Sequence, residues 1–178
     1  MRSVTIARNY AEALFELGER SGQMERYAEL IDAVAGAIES TPRVQAVLMS
    51  PRVPKRTKSD LLGAALKDVP REFVLFLQAV VKRGRQQLLG EIATEYLGLL
   101  DIRLNRIRAG ITLARPADAA LKRSIQEALS SKLGKEVLAS FSEDPEILGG
   151  AIVRLGERIH DGSLRRQMTR LRRILLST

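Results

Sequence analysis

The chain has no cysteine and no tryptophan, and only one histidine in 178 residues. Without cysteine it has no disulfide, no thiolate nucleophile and no Cys-ligated zinc or iron–sulfur centre. A single His excludes a His-rich metal centre. Aromatics are scarce, four Phe and three Tyr, and none alternates with Arg or Lys as a base-stacking platform requires. The longest apolar stretches are Phe73–Leu77 and the Gly-broken Ile147–Val153, far short of the roughly 20 residues of a membrane span. The first residues, MRSVTIARNY, hold neither an apolar signal core nor an Arg/Ser-rich leader. These absences lead to the expectation of a soluble protein from a reducing compartment.

Hydrophobic residues make up 45% and charged residues 28%, an ordinary globular balance. The length suits one domain or two small ones. The net charge is +8, unevenly spread: 15 basic and 13 acidic residues up to Asn105, against 14 and 8 beyond it. The basic excess therefore sits in the C-terminal part, much of it in one segment with Arg165, Arg166, Arg170, Arg172 and Arg173.

Up to about Arg106 the apolar residues recur at helical spacing. A first helix carries Val4, Ala7, Ala11, Leu14, Phe15 and Gly18; a second carries Met24, Tyr27, Ala28, Ile31, Val34, Ala35 and Ile38. Thr41-Pro42 reads as an N-cap followed by Pro at the first helical position, and Ser50-Pro51 as that short helix's end. A fourth helix, Lys55 to Leu66, points Leu61, Leu62 and Ala65 inward. A fifth starts at Pro70 and stops at Gly84, and a sixth spans Gln86 to Arg106. The period then switches to two at Ile107, Ala109, Ile111 and Leu113, a strand. Pro116 opens a helix with Leu121, Ile125, Leu129 and Leu133, closed by Gly134. Val137, Ala139 and Phe141 form a second strand, residues 150–155 a third, and a turn at Gly156-Glu157 leads to a short fourth through Ile159. Ser163 caps the last helix, whose Leu164, Met168, Leu171 and Leu175 are expected to pack on the sheet with the arginines outward. The fold class that follows is mainly α: a six-helix bundle over residues 1–105, then a small α+β domain over 106–178.

Two helices carry more apolar surface than one contact needs. In the first, a second stripe of Ile6, Tyr10, Ala13 and Leu17 widens the apolar arc to roughly 200°, where a bundle helix needs about 100°. The fifth is apolar nearly all round, from Phe73 to Val81, with Gln78 as its polar interruption. Such a helix is either central in its bundle or covered on a second face by a partner.

Signals of catalysis are missing. There is no phosphate-loop pattern, and Gly149-Gly150 lacks dinucleotide spacing. His160, Asp161 and Ser163 offer triad residue types, but neighbours on one tight turn cannot converge as a triad must. Glu143, Asp144 and Glu146 lack calcium-loop spacing and read as a solvated turn.

The segments TIARNYAEALFELG, VLMSPRVPKRTK, FLQAVVKRGRQQLLGEIATEYLGLLD and DPEILGGAIVRLGERIHDGSLRRQMTRLRRIL together resemble the delta subunit family of bacterial F-type ATP synthase, whose mitochondrial counterpart is the oligomycin-sensitivity-conferring protein. The resemblance runs nearly the whole chain in order. Met168 stands where the family usually has Leu, and His160 where it usually has an apolar or aromatic residue. The resemblance implies a non-catalytic stator subunit with no cofactor and no metal, on the cytoplasmic side of the bacterial plasma membrane, touching the membrane only through the complex. It implies that the N-terminal domain grips the N-terminal helices of alpha subunits in a groove formed by Tyr10, Ala13 and Leu17 with Phe76, Ala79, Val80 and Arg83. It implies that the C-terminal domain holds the C-termini of b-type stalk subunits. The alternative is a basic nucleic-acid-binding protein, resting on the arginine-rich last helix; the resemblance implies no nucleic-acid partner.

Overall fold

The computed structural model describes residues 2–156 and 158–176, so the Glu157 half of the expected turn lies outside the described residues. The chain divides into two compact units, Met1–Leu100 and Asp101–Thr178.

The first unit contains six α-helices: α1 (Arg2–Ser21), α2 (Met24–Ser40), α3 (Pro42–Met49), α4 (Lys55–Ala65), α5 (Arg71–Lys82) and α6 (Leu89–Arg103), the last running past the unit boundary and preceded by a 3₁₀ turn at Gln86–Leu88. Ala7, Ala11 and Leu14 of α1, Ile31 of α2, Phe73, Leu77, Val80 and Val81 of α5, and Ile92 and Tyr96 of α6 form its interior. Six of the chain's seven aromatics pair across helices. Tyr10 meets Phe76 edge-on at 6.3 Å, Phe15 meets Tyr96 at 5.7 Å, and Tyr27 meets Phe73 at 5.5 Å. Each pair joins two different helices and adds about 0.5–1.5 kcal/mol beyond its burial. The scarce rings are thus spent as cross-links of the bundle. Burial, with a lesser effect from Tyr27, pushes the Tyr96 hydroxyl above its ordinary range, so it stays protonated and donates to the Met24 carbonyl at 2.9 Å. Gly18 lets α1 come this close: a Cβ there would lie 2.8 Å from the Tyr96 oxygen.

Three local expectations are corrected. Val4, placed in the core stripe, is 49% exposed in the first turn of α1. In α4, Leu61 and Ala65 face solvent while Lys58 and Ser59 are buried. The reason is polar: Lys58 Nζ donates to the Ser50 carbonyl at 2.8 Å, at the negative end of α3, and Gln78 of α5 donates to the Ser59 carbonyl at 3.1 Å. Thr41 does precede α3 with Pro42 in the first turn, but its side chain makes no capping bond.

The second unit contains β1 (Arg106–Leu113), α7 (Ala119–Leu133), β2 (Glu136–Glu143), β3 (Ala151–Leu155), β4 (Arg158–Asp161) and α8 (Leu164–Leu176), with a 3₁₀ turn at Pro145–Ile147. The sheet order is β2-β1-β3-β4. β1 and β2 are parallel, with α7 as their crossover, and β3 runs antiparallel to both β1 and β4. Ile125, Leu129 and Leu133 of α7 pack on Ala109, Ile111, Leu113 and Val137. Pro116 does not open α7: Asp118 caps it, accepting from the Leu121 amide at 2.7 Å.

Gly149-Gly150 and Gly162-Ser163 meet in space. Leu164 N donates to Gly149 O, and Gly162 N to Ala151 O, both at 3.0 Å. Gly150 sits at φ 79°, and a Cβ there would lie 2.4 Å from the Gly162 carbonyl oxygen. Gly150→Ala therefore combines a left-handed backbone penalty with a contact that only backbone movement relieves. It should destabilise the second unit by about 2 kcal/mol or more, read as a lowered denaturation midpoint. A midpoint unchanged from the parent would contradict this packing.

Candidate partner-binding surfaces

On α1 the side chains divide cleanly. Ala7, Ala11 and Leu14 are fully buried, whereas Ile6, Tyr10 and Leu17 are half-buried and Ala13 is exposed. The second stripe, spaced four, three and four residues apart, lies along one helix face. On α5, Phe73, Leu77, Val80 and Val81 face the bundle. Phe76, Ala79 and Arg83 lie along its flank, Phe76 buried and the other two exposed. The Tyr10–Phe76 ring contact joins the flanks of α1 and α5, and beside it an open trough of about 550 Å³ is lined by Ile6, Asn9, Tyr10, Ala13, Arg83 and Arg85. The structure thus brings Tyr10, Ala13 and Arg83 to one depression. Val80 is fully buried and offers no surface; it can only support the wall from beneath. Ile6, Asn9 and Arg85 line the trough although the family pattern did not mark them. Ile6 was legible in the second stripe. Asn9 and Arg85 carried no periodic signal, because polar residues leave none.

The second surface is α8. It buries none of its side chains, so the expected packing of Leu164, Met168, Leu171 and Leu175 on the sheet is corrected. Met168 is 61% exposed, Leu171 58% and Leu175 69%, and these three line a shallow depression with Arg172 and Leu176. The sheet face is filled by α7 instead. α8 is held at its start. Ser163 Oγ accepts from the Arg166 amide at 3.2 Å, and the Ser163 amide donates to Asp161 Oδ1 at 2.9 Å. Hydrogen bonds from Ser163, side chain first and backbone second, hold the Asp161 carboxyl below its usual range. Arg165 pairs with Glu146 at 3.1 Å. Asp161 and Ser163 are thus engaged in seating a helix, and His160 lies on β4 opposite Val153. Among the described residues no group of His, Asp or Glu side chains is placed to hold a metal ion, and no helix is long and apolar enough to cross a membrane.

A family model for the ATP synthase delta (OSCP) subunit matches residues 6–175. ATP synthase subunit delta of Gemmatimonas aurantiaca is 43% identical over 170 residues, covering 95% of this chain and 92% of that protein. The same subunit of Desulforamulus reducens is 34% identical over 173 residues, covering 97% and 96%. Among solved structures, a chain of the Toxoplasma gondii mitochondrial ATP synthase hexamer superposes with a TM-score of 0.70 at 19% identity, covering 96% of this chain and 97% of that one. That likeness supports the fold alone.

Proposed function

Since the chain belongs to the ATP synthase delta (OSCP) subunit family, we propose that it is the non-catalytic stator subunit of an F-type ATP synthase. In this role residues 1–105 hold the N-terminal helices of alpha subunits in the catalytic head, and residues 106–178 hold the C-termini of b-type stalk subunits. Proton flow turns the rotor, and the joint keeps the head from turning with it. The subunit is peripheral, on the cytoplasmic face of a bacterial plasma membrane, and reaches the membrane through its complex.

The observation that carries this reading is the open trough that Ile6, Tyr10 and Ala13 of α1 share with Arg83 at the end of α5, beside the Tyr10–Phe76 ring contact. A helix laid there would meet Ile6, Tyr10 and Ala13 at helical spacing along the α1 wall, the pattern of helix-in-groove recognition. Rigid apolar anchors favour slow dissociation, the property a static joint needs. The α8 face is the second contact in this reading. Its side chains are solvated in the free protein, so a Leu171→Asp/Leu175→Asp variant should melt like the parent. It should nevertheless bind a peptide from the C-terminus of the b-type stalk protein at least about tenfold more weakly, since a desolvated unpaired carboxylate is costly. Equal binding by both proteins would remove α8 from the stalk contact. For the reading as a whole, a tagged full-length chain should co-purify with alpha and b-type subunits from the native membrane extract. Recovery of neither would overturn it. The nucleic-acid alternative gives way to family membership.

A further inference from the structure

The trough between α1 and α5 is not uniform. Ile6, Tyr10 and Ala13 give it apolar or small walls along α1, whereas Asn9, Arg83 and Arg85 make the part beside the end of α5 polar. Among the described residues no acidic side chain lines it. Two of the three carboxylates of α1 are spent on its own arginines: Glu12 pairs with Arg8 at 3.1 Å and Glu16 with Arg20 at 3.8 Å. Arg83 and Arg85, both exposed, have no ion-pair or hydrogen-bond partner for their side chains among the described residues.

Their positions are set by backbone rather than chance. Arg83 is the C-cap of α5, Gly84 follows at φ 70°, and the chain closes with Gly84 N donating to Val81 O at 2.9 Å and Arg85 N to Val80 O at 3.0 Å. That paired closure is the Schellman arrangement, which fixes the two residues flanking the glycine. The negative end of α5 would ordinarily attract an arginine. Here Lys55 already occupies it, its Nζ donating to the Lys82 carbonyl at 3.0 Å. The two guanidiniums are therefore left over: held on a rigid turn, lining one trough, and without a counter-charge.

We infer that Arg83 and Arg85 form a carboxylate clamp for the helix that occupies the trough, and that an Asp or Glu of that helix docks at this end, with Asn9 supplying a neutral polar wall. The inference rests on the groove reading above and adds the chemistry of its occupant. The apolar stripe alone would let a docked helix slide by a turn or reverse. Two planar forks at one end take a carboxylate in bidentate geometry and so set register and direction.

The test uses the full-length chain and a synthetic peptide of the N-terminal residues of the cognate alpha subunit, titrated calorimetrically at low and at physiological salt. Both arginines are exposed, so Arg83→Gln/Arg85→Gln should melt like the parent. It should bind about tenfold more weakly, with a flatter dependence of affinity on salt. Replacing the peptide's acidic residues one at a time by their amides should find one whose loss weakens the parent but no longer affects the double variant. If the double variant binds with parental affinity and salt dependence while Ala13→Asp still abolishes binding, the clamp is wrong and the groove stands. If the parent binds no peptide, both fall.

Discussion

Replacing Ala13 by aspartate should leave the helical unit folded and remove the proposed grip on an alpha-subunit helix. Ala13 is exposed in the free protein, so the new carboxylate stays hydrated there and costs little. Under a docked helix it would be stripped of water against the occupant, and pairing with Arg83 or Arg85 of the same trough would only take that cation from the occupant's carboxylate, a net penalty of about 3 kcal/mol or more. That corresponds to at least a hundredfold loss of affinity, at about 1.4 kcal/mol per tenfold. The neighbouring Leu14→Asp serves as the contrast. Leu14 is fully buried, and its replacement should unfold the bundle outright. Circular dichroism with peptide titration separates the two. If Ala13→Asp unfolds like Leu14→Asp, the stripe belongs to the core. If it binds peptide as the parent does, the trough is not the docking site.

Phe73→Ala should remove about 3–5 kcal/mol of stability, a large fraction of the roughly 5–15 kcal/mol typical of a folded protein. The ring is fully buried and packs against Tyr27 at 5.5 Å. Leu75→Ala, two residues along the same helix, should change stability by no more than about 0.5 kcal/mol, because Leu75 is 51% exposed. Urea denaturation of the two variants reads the difference. Similar losses for both would mean that α5 is buried on all sides, and that its flank is not available to a partner.

That contrast bears on what could be known before the fold. An apolar α5 was open to two explanations, a central helix or a helix with a second covered face, and sequence pattern cannot separate them. Both predict the same residues. Only the packing decides that Phe73, Leu77, Val80 and Val81 face inward while Leu75 and Ala79 do not. The family resemblance put Val80 among the groove residues, although it lies beneath the surface.

Where the chain departs from apolar periodicity, the reason is polar or small-residue contact. α4 turns Lys58 and Ser59 inward because the carbonyls of Ser50 and Ser59 accept hydrogen bonds there, from Lys58 and Gln78 respectively. Such bonds join positions 8 and 19 residues apart, a separation no local period records. α8 departs in the opposite sense. Its stripe is a regular amphipathic pattern, yet α7 fills the sheet face first. The pattern specifies a helix with an apolar face and is silent about what meets that face.

Sequence by itself determined the element types and their order, the change from period 3.6 to period two near Arg106, and the excess apolar surface of α1. These depend on local spacing and composition, which a single chain displays. Its motifs also carried the resemblance that family membership bears out. The tertiary structure alone decided the strand order β2-β1-β3-β4, the seating of α8 by Gly149, Gly150 and Ser163, and the meeting of Arg83 and Arg85 with Asn9 in one trough. Each of these joins residues distant along the chain through contacts whose energy is non-local. Their residue types are compatible with many pairings until the backbone selects one.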